Sequence, residues 1–325
     1  MTEMMRAARL VGPRRLEVEE RERPRPAAGE VLLRIDGCGV CGSNVPPWTG
    51  EAGVAYPMAP GEPGHEAWGT VAAVGEGVSG LQEGQAVAAL TYRSFAEYDV
   101  AAADRVVALP ESLAGRPVPG EPIACAVNVT RRAAVAEGDV VVVVGAGFLG
   151  ALVIQLLARG SEGGRPRRIV AVSRRRASLA AAEAAGADDL LTYDDDVDGH
   201  VHAITGGGLA DVVLEATGAQ APLDLAGRLV RVRGRLVIAG FHQGGRRSVD
   251  LQLWNWRGLD VINAHERDEA IYLAGLRRGV ELLAAGDLDL DPLLTHRFGL
   301  AEAEQAFRVA EERPDGFVKS LVMAS

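Results

Sequence analysis

The pattern of apolar and polar positions divides the chain into two parts. Up to about residue 120, short apolar segments alternate with stretches rich in glycine and proline, and residues 30–36 form a compact apolar segment. Such runs between turn residues predict β-rich structure. From residue 139 onwards, apolar runs of strand length alternate with segments of helical periodicity. This alternation predicts a doubly wound α/β sheet, and the chain is therefore expected to be an α/β protein.

Individual strands and helices can be predicted in the second part of the chain. Residues 139–144 are predicted to form a strand buried on both faces of a parallel sheet, because every residue after Asp139 in this range is apolar. Further strands are predicted at residues 169–172, 211–214, 235–239 and 259–263. Helices are predicted at residues 148–159, 177–185 and 221–230. The C-terminal part predicts helices at residues 270–285 and 301–311 and a last strand at residues 317–323.

Composition and charge narrow the class of protein. The chain has 325 residues, 48% of them hydrophobic, which is enough for a large core and about two domains. Its net charge of −10 disfavours nucleic acid as a partner. No apolar run approaches the roughly 20 residues of a membrane-spanning helix. The first ten residues lack the apolar core of a secretion signal, and three cysteines cannot form a disulfide framework, so we expect a cytoplasmic protein that acts on a small molecule.

A glycine-rich loop marks a nucleotide site between a predicted strand and a predicted helix. Its sequence is Gly145-Ala146-Gly147-Phe148-Leu149-Gly150. The first glycine permits a tight turn, the second lets a pyrophosphate approach, and the third allows helix and strand to pack. Backbone N–H groups at the helix start then bind the phosphates. The strand–helix context favours a dinucleotide site over a glycine-rich turn without a ligand.

The end of the second strand predicts the choice of cofactor. An acidic residue there binds the ribose 2′-hydroxyl of NAD, whereas an arginine suits the 2′-phosphate of NADP. This chain has Ser173 there, followed by Arg174 and Arg175. The missing carboxylate favours NADP(H) over NAD(H). The alternative is that arginines are common in this chain and here only begin a solvent-facing helix.

Three separated segments carry side chains suited to binding a metal. They contribute Cys41, the pair His65 and Glu66, and Glu121. A thiolate, an imidazole and one or two carboxylates can hold Zn²⁺ and leave a position open for substrate. A lone His65 would be better interpreted as a core histidine, but this combination favours a ligand. A buried, inert thiol is the better interpretation of both Cys38 and Cys125.

Together these motifs resemble the zinc-dependent medium-chain dehydrogenase/reductase family over essentially the whole chain. The resemblance implies a β-rich GroES-like catalytic domain at residues 1–122, to which residues 264–325 return, and a Rossmann domain at residues 123–263. By resemblance, Cys41 and His65 are zinc ligands, and Glu66 is the glutamate beside the metal that ligates directly in some members. Glu121 matches a position that is cysteine in liver-type alcohol dehydrogenases and glutamate in polyol dehydrogenases.

The resemblance also implies a mechanism. Zinc would activate the substrate oxygen, Ser43 would hydrogen-bond that oxygen and pass on its proton, and a hydride would move to or from the nicotinamide. Thr217 and Gly240 would approach the cofactor. Lys319, the only lysine of the chain, would lie near the cofactor phosphates or ribose, with a solvated lysine as the alternative.

The chain departs from the family in two respects. The four clustered cysteines of a structural zinc lobe are missing, so we expect one catalytic zinc and no structural zinc. Asn44 replaces the usual aspartate that buttresses the zinc histidine. The asparagine keeps an acceptor but loses the charge, which predicts a lower zinc affinity.

Few residues of the sequence indicate the substrate class. Glu121, Asn128 and the polar stretch at residues 263–267 hint at a polyol, sugar or cyclitol, although that stretch also fits an ordinary strand–helix junction. Trp48, Tyr56 and Tyr92 are candidates for lining the cleft or for packing. The competing functions are a zinc-free quinone or enone reductase of the same superfamily and a non-enzymatic nicotinamide-binding protein.

The last strand of the second part predicts self-association. Residues 259–263 form an apolar strand expected at a sheet edge, preceded by Trp254 and Trp256. An exposed apolar edge favours pairing with a symmetry mate, so a homodimer or homotetramer is expected.

Overall fold

The computed structural model describes residues 3–51 and 53–324. Residues 1 and 325, which end the predicted domain ranges, lie outside the described residues. The chain forms two compact units. The first extends to Pro122 and also contains Gly279–Ala284 and the chain from Leu290 onwards. The second contains Ile123–Arg278 and Ala285–Asp289.

The N-terminal part consists mainly of strands. They are β1 (Met4–Gly12), β2 (Arg15–Glu22), β3 (Glu30–Gly39), β4 (Ala67–Val74), β5 (Ala86–Ala89), β6 (Tyr98–Ala102) and β7 (Val106–Ala108). A short helix, α1 (Val45–Thr49), follows β3.

Strands and helices alternate through the middle of the chain. The helices are α2 (Gly120–Ala133), α3 (Phe148–Arg159), α4 (Arg176–Ala185), α5 (Val197–Ile204), α6 (Gln220–Leu229) and α7 (Leu251–Arg257). The strands are β8 (Val140–Val144), β9 (Arg168–Val172), β10 (Asp189–Leu191), β11 (Ala210–Glu215), β12 (Val230–Ile238) and β13 (Asp260–Asn263). The C-terminal part contains α8 (Glu269–Ala285), β14 (His296–Gly299), α9 (Ala303–Glu312) and β15 (Ser320–Met323).

The first unit is built on a seven-stranded sheet. Its order is β14-β15-β3-β4-β5-β7, and β6 pairs with β3. The C-terminal strand β15 pairs with β3, so the end of the chain completes this sheet. One core cluster packs Trp48, Phe95 and Phe307 together, and another packs the apolar side chains of β3, β4 and β5.

The second unit is built on a six-stranded parallel sheet. Its order, β10-β9-β8-β11-β12-β13, is that of a doubly wound dinucleotide-binding fold. All five valines of β8 are fully buried, as the continuous apolar run predicted. The strand order reverses between β8 and β11, and ligands of such sheets bind at the carboxyl ends of the strands at that point.

The doubly wound prediction is confirmed, and α3 has the predicted bounds. The bounds of most other elements differ from the prediction by one or two residues, and two strands differ by more. β12 begins at Val230 rather than 235, and α6 ends at Leu229. β15 begins at Ser320 rather than 317, because Phe317 N–H donates to Pro314 O in a turn. Trp254 and Trp256 lie on α7, a helix that was not predicted.

Among the described residues, no helix is long and apolar enough to cross a membrane.

Candidate functional site

The first unit contains a cluster of four potential metal ligands. Each offers one ligand atom, and these atoms all lie within 4.8 Å of one another. The four residues are Cys41, His65, Glu66 and Glu121. The structure therefore brings together all four side chains that the sequence nominated, although they are separated by up to 80 positions along the chain.

Pairing of two strands brings the first three ligands together. β3 and β4 are antiparallel neighbours, with Cys38 opposite Ala67. The end of β3 therefore meets the start of β4, and Cys41 follows β3 while His65 and Glu66 directly precede β4. Glu121 comes from the first turn of α2.

Backbone contacts orient His65. Its Nδ1 lies 2.8 Å from Pro63 O. A carbonyl oxygen can only accept, so Nδ1 carries a proton, and Nε2 is the nitrogen through which the neutral ring can bind a metal. Ser43 Oγ lies 3.4 Å from this Nε2. This tautomer is the one that lets a histidine bind a metal through Nε2 while a carbonyl fixes the ring.

Asn44 has a role different from the one expected. Its Oδ1 accepts from Cys41 N–H at 2.9 Å, and its Nδ2 donates to Pro63 O at 3.1 Å. It therefore buttresses His65 only through Pro63, whose carbonyl also accepts from the imidazole. Because an aspartate could not donate to this carbonyl, the amide suits the site better than the carboxylate of the family. The expectation that Asn44 weakens the support of His65 is not supported by this geometry.

A buried ion pair holds Glu66. Lys319 Nζ donates to Glu66 Oε1 at 2.6 Å and lies 2.6 Å from Oε2. Glu66 is fully buried and Lys319 is 4% exposed. Glu66 Oε2 makes no hydrogen bond in the described structure. The Lys319 ammonium thus lies close to both oxygens of the Glu66 carboxylate, and only its contact with Oε1 has hydrogen-bond geometry.

The solvated-lysine alternative for Lys319 is wrong, because the side chain is buried. Its ammonium is bound to Glu66, a partner that was not predicted. Its placement near the cofactor phosphates or ribose stays a prediction. Sequence reasoning missed this pairing because 253 residues separate the partners.

Gly39 makes room for the Glu66 carboxylate. A Cβ atom on Gly39 would overlap Glu66 Oε2 and lie 3.0 Å from the Cε of Lys319. The last residue of β3 must therefore lack a side chain for the ion pair to form beside the cluster.

The electrostatics of the cluster favour a bound cation. Burial lowers the pKa of His65, but the hydrogen bond and charge of Cys41 and the charges of Glu121 and Glu66 outweigh it and raise this pKa to about 10. Burial also lowers the pKa of Lys319, and the charges of Glu66, Cys41 and Glu121 raise it above its ordinary value. The cluster thus favours positive charge on every basic group it contains.

The donor set fits zinc. It offers one sulfur, one imidazole nitrogen and carboxylate oxygens, as catalytic zinc sites do. Cys38 is fully buried; burial, followed by the charge of Glu66, raises its pKa well above the ordinary value, so it remains a thiol. Cys125 lies in the second unit, with Sγ 3.3 Å from the hydroxyl of Tyr272. Neither thiol belongs to the cluster.

The glycine-rich loop of the second unit has the geometry that a dinucleotide requires. Gly145 has φ +105°, a turn conformation that favours glycine. A Cβ on Gly147 would meet nothing within 4 Å, so the backbone is open to a ligand. A Cβ on Gly150 would overlap Gly145 O, which shows how closely helix and loop pack. Phe148 and Leu149 begin α3, whose N-terminus faces this loop.

The end of β9 has the composition that the sequence indicated. Ser173 is 8% exposed, and its Oγ accepts from Arg175 N–H at 3.5 Å. Arg174 is exposed. Position 173 thus presents a hydroxyl where an NAD-specific fold presents a carboxylate.

Glu215 is a buried residue that sequence reasoning missed. It ends β11, and its Oε1 accepts from Thr217 N–H at 2.6 Å, from the Thr217 hydroxyl and from Gly218 N–H at 2.9 Å. Its Oε2 lies 2.9 Å from His242 Nε2. A Cβ on Gly240 would lie 2.8 Å from Oε2. The signal was present in the sequence, since an acidic residue directly follows the apolar residues 212–214 at the end of the strand.

Most residues considered for substrate binding are packed inside their units. Trp48 is 1% exposed, and its Nε1 donates to Glu311 Oε2 at 2.7 Å, so its role is packing. Tyr56 packs against the same core cluster, and its hydroxyl donates to Pro47 O. Asn128 is 2% exposed and packs against Gly275, so it is not accessible to a substrate. Tyr92 alone of these is exposed, at 67%.

Comparisons with known proteins identify the family of each of the two parts of the chain. The chain matches the family described as alcohol dehydrogenase GroES-like domain over residues 27–111 and the family described as zinc-binding dehydrogenase over residues 149–269. It is 27% identical to a sorbitol dehydrogenase from Ovis aries, with 93% of this chain and 92% of that protein covered.

Two solved structures share the whole fold. An alcohol dehydrogenase from E. coli CFT073, in complex with NADH, has a TM-score of 0.86 at 25% identity and is covered to 99%, as is this chain. A putative zinc-binding dehydrogenase from Sinorhizobium meliloti 1021, bound to NADP, has a TM-score of 0.83 at 26% identity, with 99% of this chain and 100% of that chain covered.

The two matched families lie in the expected order along the chain, and the similar structures span both units. The expected GroES-like and Rossmann architecture is thereby confirmed. The chain belongs to the zinc-dependent medium-chain dehydrogenase/reductase family.

Proposed function

We propose that this protein is a zinc-dependent oxidoreductase that moves a hydride between NADP(H) and an alcohol or the corresponding ketone. The observation that carries this proposal is the cluster of one thiol, one imidazole and two carboxylates within 4.8 Å. The sequence placed the catalytic part at residues 1–122 and 264–325 and nucleotide binding at residues 123–263. The structure places Ile123–Arg278 and Ala285–Asp289 in the second unit, so we propose that only Gly279–Ala284 and the chain from Leu290 return to the catalytic part.

Cys41, His65 and Glu121 are the proposed protein ligands of zinc. When bound, zinc supplies Lewis-acid chemistry that polarises a carbonyl or lowers the pKa of an alcohol. Lys319 Nζ donates to Glu66 Oε1 and lies 2.6 Å from Oε2, so Glu66 balances charge beside the site and is the fourth candidate ligand. Three potential anions and one ammonium then surround one divalent cation.

Ser43 is the proposed proton-transfer group. Its hydroxyl lies 3.4 Å from His65 Nε2, beside the proposed metal ligands. A hydroxyl can donate to a substrate oxygen and accept a proton from it in the same position. As the alcohol is oxidised, Ser43 would accept the proton of the substrate oxygen and release its own proton toward the cofactor ribose and solvent.

The proposed cofactor preference is for NADP(H). The nicotinamide accepts or donates the hydride, which is the cofactor's own chemistry. The loop with Gly145, Gly147 and Gly150 would bind the pyrophosphate. Ser173 is uncharged and therefore does not repel the 2′-phosphate as a carboxylate would. Arg174 and Arg175 supply guanidinium groups able to contact it. The two similar structures contain different nicotinamide cofactors, so the preference rests on these residues.

A polyol, sugar or cyclitol is the proposed substrate class. Glu121 contributes a carboxylate to the metal cluster at a position where a second cysteine thiolate is the alternative. The similarity to a sorbitol dehydrogenase agrees with a polyol substrate. The polar stretch at residues 263–267 adds hydroxyl-binding groups in the second unit. A zinc-free quinone or enone reductase would not need the four-residue cluster.

Self-association is proposed through β13. Within the described residues this strand pairs with β12 on one side. Leu251 and Trp256 on the neighbouring α7 are 67% and 86% exposed. An open strand edge beside exposed apolar side chains favours pairing with a second copy.

The experiment is a steady-state screen of polyols, sugars, cyclitols and simple alcohols with both cofactors. We expect oxidation of at least one polyhydroxylated substrate, with kcat/KM at least about tenfold higher for NADP than for NAD. Ser173→Asp should invert this preference, and Arg174→Ala should mainly weaken NADP binding. Arg132→Ala, an exposed arginine on α2, is the control. Equal or better efficiency with NAD would reject the preference.

A further inference from the structure

The carboxyl ends of β11 and β12 carry a closed set of polar contacts in the second unit. Glu215 ends β11 and is fully buried. Its backbone carbonyl accepts from Ala239 N–H and Gly240 N–H, both at 2.8 Å, in the loop that follows β12. Its side chain accepts from the loop that follows β11. One residue therefore ties two loops together through both its backbone and its side chain.

His242 and Arg247 complete this set. His242 Nε2 lies 2.9 Å from Glu215 Oε2, and Arg247 Nε donates to His242 Nδ1 at 3.2 Å. Arg247 Nη2 also donates to Gly218 O at 3.0 Å and to Gln243 O at 2.7 Å. Gly218 N–H donates back to Glu215, so the contacts close into a ring. We call Glu215, His242 and Arg247 the latch.

The donors and acceptors fix the state of the imidazole. An arginine can only donate, so His242 Nδ1 must accept and Nε2 must carry the proton. The Nε2 proton then points to Glu215, which accepts as a carboxylate. The imidazole thus links the buried carboxylate of Glu215 to a guanidinium. These hydrogen bonds offset the free-energy cost of burying the carboxylate, and no bound ligand is required for this.

The latch lies where the fold binds a dinucleotide. Glu215 lies opposite Val144, the residue before the glycine-rich loop, across the β8–β11 boundary at which the strand order reverses. A Cβ on Gly145 would lie 2.5 Å from the Thr217 methyl group, so the latched loop also packs against the glycine-rich loop. In this fold the half that contains β8 and β9 binds the adenosine part, which leaves the half with β11 and β12 for the nicotinamide part.

We propose that Glu215, His242 and Arg247 are positioning residues that hold the loops after β11 and β12 in the conformation that receives the nicotinamide half of the cofactor. The proposal rests on the proposed nicotinamide-dependent function. The hydroxyl of Thr217 is bound to Glu215 and accepts from Ala219 N–H. Thr217 therefore serves the loop conformation rather than donating its hydroxyl proton to the cofactor.

The test compares whole cofactors with their adenosine halves. Dissociation constants are measured by nucleotide fluorescence for NADPH and NADH, and by calorimetry for 2′,5′-ADP and ADP. The latter two lack the nicotinamide half. Glu215→Gln presents an amide donor to His242 Nε2–H, so it breaks the ring at nearly constant volume. We expect it to raise the Kd of the preferred reduced cofactor about tenfold or more and to leave the Kd of the matching half within about twofold.

Two His242 variants keep the test decisive if Glu215→Gln fails to fold. His242→Gln retains a donor for Glu215 and an acceptor for Arg247, so it should bind the reduced cofactor within about threefold of wild type. His242→Leu should weaken it about tenfold. His202→Leu, at an exposed histidine on α5, is the control and should change nothing.

The outcomes separate this inference from the cofactor proposal. Wild-type preference for NADH over NADPH would reject the NADP proposal and leave the latch to be tested with NADH and ADP. Equal weakening of the cofactor and its adenosine half would overturn the latch, because it indicates general destabilisation of the unit. Equal binding by His242→Leu and His242→Gln would also overturn it. Wild-type protein that binds neither cofactor would reject the function and the inference together.

Discussion

Two fully buried glutamates, one in each unit, are stabilised in opposite ways. Glu66 precedes β4 in the first unit, is held by the single ammonium of Lys319 and keeps one oxygen without a hydrogen bond. Glu215 ends β11 in the second unit, and both of its oxygens are in polar contacts from two loops and an imidazole.

The difference indicates what each site lacks. A buried charge is tolerated when it is paired and hydrogen-bonded. Glu215 satisfies that condition with protein groups alone, so it organises backbone. Glu66 relies on the single ammonium of Lys319, and the thiol of Cys41 and the carboxylate of Glu121 add potential negative charge beside it. The cluster in the first unit is therefore suited to a further cation, whereas the loops around Glu215 are held by protein groups.

The largest expected effect follows from removing the sulfur ligand. Cys41→Ser should abolish zinc binding and lower kcat/KM about a thousandfold or more, because a catalytic metal supplies several kcal/mol of transition-state stabilisation. NADPH binding to the second unit should persist. Zinc content, turnover and nucleotide fluorescence on the same sample check this. Cys125→Ser, outside the cluster, is the control, and unchanged turnover by Cys41→Ser would contradict the zinc assignment.

Lys319→Met tests the charge balance around Glu66. In chelated protein it leaves Glu66 buried without a partner, which should cost about 3–5 kcal/mol of unfolding free energy. In zinc-loaded protein the loss should be clearly smaller, because the metal supplies the missing positive charge. Urea unfolding with and without chelator measures both values.

The matched control for Lys319→Met is Arg15→Met. It breaks an ion pair with Glu17 in which the two side chains are 71% and 52% exposed, so a loss below about 1 kcal/mol is expected in either state. Equal losses for Lys319→Met with and without zinc would mean that no cation shares the site with Glu66.

Ser43→Ala should lower kcat about a hundredfold by removing the proton-transfer group. Zinc content and cofactor affinity should stay at wild-type values, because Ser43 is not a proposed ligand. A pH–rate profile taken on both proteins separates proton transfer from misfolding. A fall in zinc content that matches the fall in kcat would show that Ser43 supports the metal site instead.

The smallest effect is expected for Asn44→Asp, for which the family resemblance and the structure predict opposite changes in zinc affinity. From the resemblance, the charge of the aspartate should raise zinc affinity. The structure expects a fall of about tenfold, because an aspartate cannot donate to Pro63 O and would repel it. Competition with a chromophoric chelator decides between the two, and a rise in affinity would reject the structural account of Asn44.

The sequence predicted what depends on local pattern. The structural roles of the β8 valines and of the glycines after them depend on residues that are adjacent in sequence. The family motifs identified Cys41, His65, Glu66 and Glu121 as candidate ligands. Contacts between distant segments could not be predicted. The pairing of Lys319 with Glu66 was missed because the two residues are 253 positions apart, and the partners of Asn44 depend on the path of the backbone at Pro63.

Glu215 differs from these cases. Its position at the end of an apolar strand was visible in the sequence, but its meaning depends on His242 and Arg247, which lie beyond the next strand. A buried carboxylate therefore has to be interpreted from its partners.

The most direct test of the metal assignment is X-ray absorption spectroscopy of purified protein, combined with elemental analysis. We predict one zinc per chain, with one sulfur neighbour at about 2.3 Å and nitrogen or oxygen neighbours at about 2.0–2.2 Å. Cys41→Ser should lose the sulfur contribution. Protein without zinc, or a zinc with two or more sulfur neighbours, would contradict the assignment of Cys41, His65 and Glu121 as its ligands.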